Sequence, residues 1–425
     1  MDINLLRKEV ENGSFDKDFK YLYNETENSK ARYLKAINRY LDFYKEDTDM
    51  YLLSAPGRTE VGGNHTDHQH GRTLTGGVNL DVIAVVCKTD DNTVAIKSEG
   101  FKEDVVDISA SLEKCEGNGK TSELIKGIAF YLKQKGFNIG GFRAYTTSNV
   151  LKGSGLSSSA AFEVLICNIF KSLYNLDINE LEIAKISQKA ENEYFGKPCG
   201  LLDQMACSLG GFTAIDFKDV ENPKVEKIDF DLKKSNTSLV IVNTGGNHSD
   251  LTDDYADIPK ECKAVANFFN KNYLREVDFK EFLANIKNLR EKVSDRAVLR
   301  AIHFFNEDLR AAKEAEALKN NNFEEFLNLV KQSGNSSYKY LQNVYSNANV
   351  AEQGIGLALA LTEMYLNGRG ACRVHGGGFA GTIQAFVPND ILNEYIEKIE
   401  AVFGKGSAYV LTVRPTGGYK LSLKK

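Results

Sequence analysis

The sequence predicts an α+β protein, and three observations predict it. Strand-like segments cluster between residues 50 and 109, helical periodicity dominates from 122 to 195, and a helix-rich stretch beyond 250 closes on strand, helix, strand. Runs of strands followed by runs of helices indicate separate layers rather than a regular β-α alternation. With 425 residues, the chain is long enough for two or three domains of ~100 to 200 residues, each with its own core.

The elements follow in chain order. The first 30 residues are polar and are expected to be irregular. From 31 to 45, Tyr33, Leu34, Ile37, Tyr40, Leu41 and Tyr44 recur at helical spacing, which predicts a leading helix. MYLLS at 50–54, VIAVVCK at 82–88, TVAIKS at 93–98 and VVDIS at 105–109 are separated by polar or glycine-containing turns, as in a mostly antiparallel or mixed sheet. Helices are expected at 122–135, 157–174 and 179–195, with a strand at 142–150 feeding the second. Between strand-like 210–217 and 238–244 lies DVENPKVEKIDFDLKKSN, polar and carrying Pro223, which marks a domain crossing. The expected units are an extension over 1–48, a first domain over 49–225 and a second over 226–425. In the second, 250–368 reads as four or five helices, followed by strand 381–387, helix 389–403 and strand 408–414.

Composition narrows the function. Apolar residues make up 42% and charged residues 26%, which excludes wholesale disorder. Lys and Arg total 53 against 58 Asp and Glu, a net charge of −5, so nucleic acid is not an expected partner. No segment has the apolar length of a signal peptide or a membrane span, and the seven Cys are scattered without a C-x-x-C pair. The expectation is a cytoplasmic protein with reduced thiols and no membrane partner, a monomer or weak homo-oligomer.

Four segments carry chemistry. GSGLSSSAAFEVLICNIFKSLY at 153–174 is a Gly/Ser loop opening a helix that is apolar nearly all round, hence buried. The free N–H groups and positive dipole end of such a helix suit phosphate, and Gly153 and Gly155 allow close approach. The flanking Ser154 and Leu156 complete the loop, and Ser157, Ser158 and Ser159 add hydroxyl donors and one oxygen for Mg²⁺. Taken alone, an ordinary capped helix start fits equally. EGNGKTSEL at 116–124 looks like a Walker loop but has Lys at 114 where the pattern needs Gly, so a surface turn is expected.

SAPGRTEVGGNHTDHQHG at 54–71 packs Arg58, Asn64, His65, Asp67, His68 and His70 into a glycine-punctuated loop suited to a polyhydroxylated ligand. Its histidines match no zinc spacing. AENEYFGKPCGLLDQMACSLGG at 190–211 sets Glu191 on a helix and Asp203 among apolar neighbours, where a carboxylate needs a positive or donating partner. RGACRVHGGGFAGTIQAFV at 369–387 is strand, glycine cluster, strand, fitting a ligand-wrapping loop or a hairpin turn.

In this order the segments resemble the three sequence motifs of the GHMP small-molecule kinases, and among these the galactokinases. GKPCGLLDQ is the most specific piece, and the similarity spans about 50–270 and 350–415. The resemblance implies the two-domain GHMP kinase fold: an N-terminal α/β domain and a C-terminal α+β (ferredoxin-like) domain, with the active site in the cleft between them. It implies ATP on residues 153–159 and Mg²⁺ on Ser159 and Glu191. Asp203 falls on the base toward the sugar C1 hydroxyl, with Arg58 beside it. Asn64, His65, Asp67, Gly200 and Tyr255 fall on sugar contacts. The implied reaction converts galactose and ATP to galactose 1-phosphate and ADP. A kinase for N-acetylgalactosamine, galacturonate or L-arabinose, or a non-catalytic galactose/ATP sensor, are the alternatives.

Where galactokinases read G-R-x-N-x-I-G-E-H-x-D-Y, this chain reads GRTEVGGNHTDH: Glu60 replaces Asn, Asn64 replaces Glu and His68 replaces Tyr. The Arg pair usual after the family's lid tyrosine is replaced by ADIP after Tyr255.

Overall fold

The computed structural model describes residues 1–45, 47–110, 112–113, 119–150, 155–246, 251–379 and 381–423. Its amino terminus is helical rather than irregular: α1 (Ile3–Glu11), α2 (Asp16–Tyr23) and α3 (Glu27–Tyr44) follow in succession. Asp2 caps α1 by accepting from the Leu5 N–H at 2.9 Å. Ile3, Leu6 and Val10 then share a buried stripe, and α2 buries Phe19, Leu22 and Tyr23.

These helices cover one face of the first sheet. It comprises β1 (Met50–Gly62), β2 (Arg72–Lys88), β3 (Thr93–Ser98), β4 (Glu103–Asp107), β5 (Phe142–Ser148), β6 (Phe212–Asp216) and β7 (Lys224–Ile228), with a late strand from the tail. It is mixed, since β3 and β5 pair in parallel and the other ladders are antiparallel. Along β2, Ile83, Val85 and Cys87 pack against the amino-terminal helices. Val82, Ala84 and Val86 face the main core. Burial on both faces explains why this strand reads as an unbroken apolar run.

On the core face lie α4 (Thr121–Gln134), α5 (Ser158–Tyr174), α6 (Glu180–Lys189) and α7 (Leu202–Leu209), with a wide π-type turn, Ala190–Phe195, between the last two. As its composition demands, α5 is buried over most of its length, from Ala160 and Ala161 through residues 163–170 to Leu173.

The second sheet contains β8 (Thr237–Asn243), β9 (Ala371–Val374), β10 (Thr382–Pro388) and β11 (Ala408–Leu411). Between β8 and β9 run α8 (Thr252–Phe268), α9 (Phe279–Ala284), α10 (Ile286–Lys292), α11 (Asp295–Lys319), α12 (Phe323–Ser336) and α13 (Gly354–Leu366), and α14 (Leu392–Phe403) joins β10 to β11. Strand order β11-β8-β10-β9, all antiparallel, is the split-βαβ arrangement of ferredoxin-like folds. The tail then returns to the first sheet, where β12 (Tyr419–Lys420) pairs with β1. Strand β7 also belongs to that sheet, so the expected division at 225/226 falls inside a strand of it. Among the described residues no helix is long and apolar enough to cross a membrane.

Candidate active site

The site forms where β1, the start of α5 and the start of α7 converge. Register slips between Pro56 and Arg58 in the β1–β2 ladder, and such an irregularity re-aims the next side chain. Gly57 permits the turn, since a Cβ there would lie 2.7 Å from the Leu156 carbonyl oxygen. The Arg58 N–H donates to that same oxygen at 3.0 Å. The Arg58 side chain, only 7% exposed, donates from Nε and Nη2 to Asp203 Oδ1 at 2.8 and 2.6 Å and from Nη1 to the Gly155 carbonyl.

Asp203 sits in the first turn of α7 and accepts at Oδ2 from the Ser157 hydroxyl. Burial pushes its pKa up, but Arg58, Ser157 and Lys197 outweigh it and hold the carboxyl below its ordinary value. Ser157 is the N-cap of α5 and adopts left-handed φ and ψ of 57° and 59°; with its hydroxyl turned to Asp203, it caps no helical N–H. The positive end of α5 is thereby left open for an anion.

A cavity of about 910 Å³ opens beside this helix start, lined by Ser158, Ser159, Glu163 and Glu191 and by Phe101, Thr121 and Val150 among others. Glu191 is 3% exposed. Its Oε2 accepts from Gln204 Nε2 at 2.8 Å and from the Cys199 thiol at 3.1 Å, and Lys197 Nζ pairs with Oε1 at 3.1 Å. The same Gln204 amide donates to Glu163 Oε2 at 3.0 Å, leaving the buried Glu163 Oε1 without a partner. Burial, reinforced by Glu191, pushes Glu163 well above the usual carboxylate range.

The sugar-loop residues meet Gly200 and the glycine loop after β9. Gly200 approaches Asp67 so closely that a Cβ would meet its Oδ2 at 2.7 Å. His65 shares a 2.9 Å hydrogen bond between Nε2 and the Gly377 carbonyl, so Nε2 carries the proton and Nδ1 is left as the acceptor. Burial and the neighbouring His68 bring its pKa down to about 4, so the ring is neutral. Tyr255, on α8, donates to the Gly378 carbonyl at 2.9 Å and meets Phe379 edge-on, with 5.4 Å between ring centroids. His375 bonds the Thr59 hydroxyl at 3.0 Å, and a Cβ on Gly155 would lie 3.0 Å from its Nδ1. The glycine loop after β9 thus touches both the sugar loop and the phosphate loop.

Of the residues singled out from sequence, Arg58, Gly155, Leu156, Ser157 and Asp203 are joined directly, Ser158, Ser159 and Glu191 share the cavity wall, and Asp67 abuts Gly200. His65 and Tyr255 meet on the glycine loop. Gly153 and Ser154 lie outside the described residues. Asn64 is fully buried. Its amide donates to Glu60 and to the Gly376 carbonyl, and its oxygen accepts from Asn343 and Ser337. In the turn read as a Walker look-alike, Gly119 and Lys120 line the cavity, and 114–118 lie outside the described residues.

Sequence reasoning missed Glu163, Gln204 and Lys197. For Glu163 the signal was available: one acid in a helix otherwise apolar all round has the same anomaly as Asp203. Lys197 stood inside the quoted GKPCG segment.

Comparison with known proteins gives concordant matches. Residues 123–211 match the family described as GHMP kinases N terminal domain, and 38–88 match the galactokinase galactose-binding signature. A galactokinase of Limosilactobacillus reuteri is 31% identical over 384 residues, covering 86% of this chain and 93% of its own. Among solved structures, a Lactococcus lactis galactokinase complexed with galactose superposes with a TM-score of 0.78 at 24% identity, covering 92% of this chain and all of that one. A Methanococcus jannaschii mevalonate kinase gives 0.60 at 16% identity over 86% and 99% of the two chains.

Proposed function

The chain belongs to the galactokinase family of GHMP kinases, and we propose that it transfers the γ-phosphoryl group of ATP to the C1 hydroxyl of galactose. The observation that carries this reading is the triangle of Asp203, Arg58 and Ser157, in which an ionised carboxylate is bonded to the residue that opens the phosphate-binding helix. An acceptor held by Asp203 and a phosphate held on α5 are then neighbours.

Phosphoryl transfer asks mainly for positioning and charge neutralisation. The N–H groups at the start of α5 receive the phosphate oxygens, with Gly153, Ser154, Gly155, Leu156, Ser157, Ser158 and Ser159 as the cradle. Asp67, the bare Nδ1 of His65 and the Gly200 backbone meet the sugar, and Tyr255 closes over it from α8. Asn64 acts through Glu60 and Asn343, fixing the loop from behind.

Ser159 and Glu191 are oxygen donors of the kind Mg²⁺ takes, and the partnerless Glu163 oxygen beside them fits a site that completes its charge balance on loading. Among the described residues no three His, Cys, Asp or Glu side chains form a metal site by themselves. Mg²⁺ bound there with the nucleotide supplies neutralisation of phosphate charge.

With Asp203 aiming it, the sugar C1 oxygen bonds to the γ-phosphorus as the bond from phosphorus to the β,γ-bridging oxygen breaks, and ADP leaves. The hydroxyl proton passes to Asp203 and on to solvent. Because Arg58 keeps this carboxylate a weak base, orientation is its larger contribution and proton transfer comes late.

The test is ADP release across a hexose panel with Mg²⁺, the product located by phosphorus NMR. Galactose 1-phosphate is expected. Turnover of another sugar, or phosphate on another carbon, would replace galactose as the substrate, and no turnover at millimolar sugar would leave a ligand-binding sensor.

A further inference from the structure

Lys197 pairs with Glu191 at 3.1 Å without belonging to any expected role. Its backbone is fixed: the Gly196 and Lys197 N–H groups donate to the Glu191 carbonyl at 3.0 and 3.1 Å, and the Cys199 N–H donates to Asn192 Oδ1 at 2.6 Å. Its side chain pairs with Glu191 and also reaches solvent. It is 61% exposed, whereas its partner Glu191 is 3% exposed. A water-exposed ammonium gains little from one carboxylate and keeps a mobile four-carbon stem.

The neighbouring cation is differently placed. Three of the five Arg58 N–H donors are taken by Asp203 and the Gly155 carbonyl, and the guanidinium is buried. A transferring phosphoryl group spreads negative charge over three oxygens and needs a donor that can follow it. Lys197 Nζ stands 3.1 Å from Oε1 of Glu191, a residue of the cavity wall that also carries Ser158 and Ser159 at the start of α5.

We propose that Lys197 is a ligand of the γ-phosphate, paired with Glu191 in the free chain and with the terminal phosphate of ATP in the loaded one. With Glu191 engaged by Mg²⁺, the Lys197 ammonium would lose its partner's charge and turn to the nearest anion. The proposal rests on the kinase reading above and adds a residue to it. The contact exists with a triphosphate and not with a diphosphate.

The experiment compares binding of a β,γ-imido ATP analogue and of ADP, each with Mg²⁺, by titration calorimetry on the full chain and on its Lys197→Met and Lys197→Arg variants. Lys197→Met is expected to weaken the triphosphate about tenfold, as loss of an exposed charge-assisted hydrogen bond does, and to leave ADP within twofold. Lys197→Arg should recover most of the loss. In steady state Lys197→Met lowers kcat by a similar factor and leaves the sugar KM unchanged. Equal weakening of both nucleotides, or a change in melting temperature alone, would make Lys197 a structural partner of Glu191 and overturn the proposal. A wild-type chain that discriminates the nucleotides yet phosphorylates no hexose would instead sink the kinase reading, with the triphosphate contact intact.

Discussion

Asn64 donates its side-chain amide to the Glu60 carboxylate at 2.8 Å, so two of the positions at which this chain departs from the galactokinase pattern touch each other. The pattern has the amide at position 60 and the carboxylate at 64, and here they are exchanged. Arg373 completes the pair by donating to Glu60 at 2.9 Å, and Asn343 donates to the Asn64 oxygen at 2.9 Å. One buried carboxylate is kept, at position 60 rather than 64.

A double-mutant cycle tests this exchange. Glu60→Asn alone strands Arg373, and Asn64→Glu alone sets two buried carboxylates side by side, each expected to cost about 3 kcal/mol in denaturant unfolding. The double variant should recover about 1 to 3 kcal/mol of the summed loss. It should also sharpen selectivity for galactose over analogues altered at the distal hydroxyl. Strict additivity would mean that the two substitutions are unrelated.

Asp203→Ala removes the group that aims the acceptor while leaving α5 open. Turnover should fall at least about 1,000-fold, with ATP affinity within a few-fold of wild type by equilibrium titration. Residual activity within tenfold of wild type would remove Asp203 from the chemistry.

Gly200→Ala isolates the sugar wall. A Cβ would stand 2.7 Å from Asp67 Oδ2, so the carboxylate must shift away from the cleft. The sugar KM should rise about tenfold, a loss near 1.4 kcal/mol, with the ATP KM within twofold. An ATP effect as large as the sugar effect would place Asp67 outside the sugar contacts.

Much of this geometry was legible in the chain because its chemistry is local. A Gly/Ser loop ahead of an all-round apolar helix announces both burial and an open helix end, and that is where Ser157 meets Asp203. The meeting of His375 with Gly155 was not legible, since nothing local links residues so far apart in the chain. The amino-terminal helices escaped because α1 and α2 span 9 and 8 residues, too short for a periodic window. Strand β7, KVEKI, is exposed along most of its length at the sheet margin and so carries no apolar alternation. Asn64 reads as a ligand contact in sequence and is buried in the fold, because its partners Asn343 and Gly376 come from 279 and 312 residues away.

His65 should leave a signature in stability against pH. Its pKa is about 4 in the folded chain against ~6.5 when unfolded, so the unfolded state takes up the proton first as pH falls. Its contribution is intact above pH 6.5 and is lost progressively down to about pH 4. His65→Gln keeps a donor to Gly377 and removes the titration, so its stability should fall less steeply across that window, by about 1.4 kcal/mol per pH unit. Parallel curves would mean that His65 titrates normally.

The amino-terminal helices are held by one buried charge cluster. Asp81 is fully buried and accepts from Arg414 Nη1 at 2.9 Å, from the Tyr23 hydroxyl at 2.6 Å, and from Arg32 and Ser54. These partners come from α2, α3, β1 and the returning tail, so a single carboxylate ties the extension and the carboxy-terminal segment to β2. Its pKa balances burial, which raises it, against Arg32, Arg414 and the two hydroxyls, which bring it below the ordinary value. The charge therefore persists at neutral pH, and Asp81→Asn leaves two buried or half-buried guanidinium groups uncompensated. The expected loss is about 3 to 5 kcal/mol of unfolding free energy. The site residues above do not touch Asp81, so ATP affinity of the remaining folded protein should stay within twofold. A loss below about 1 kcal/mol would show that the helices are held by Ile83, Val85 and Cys87 packing alone.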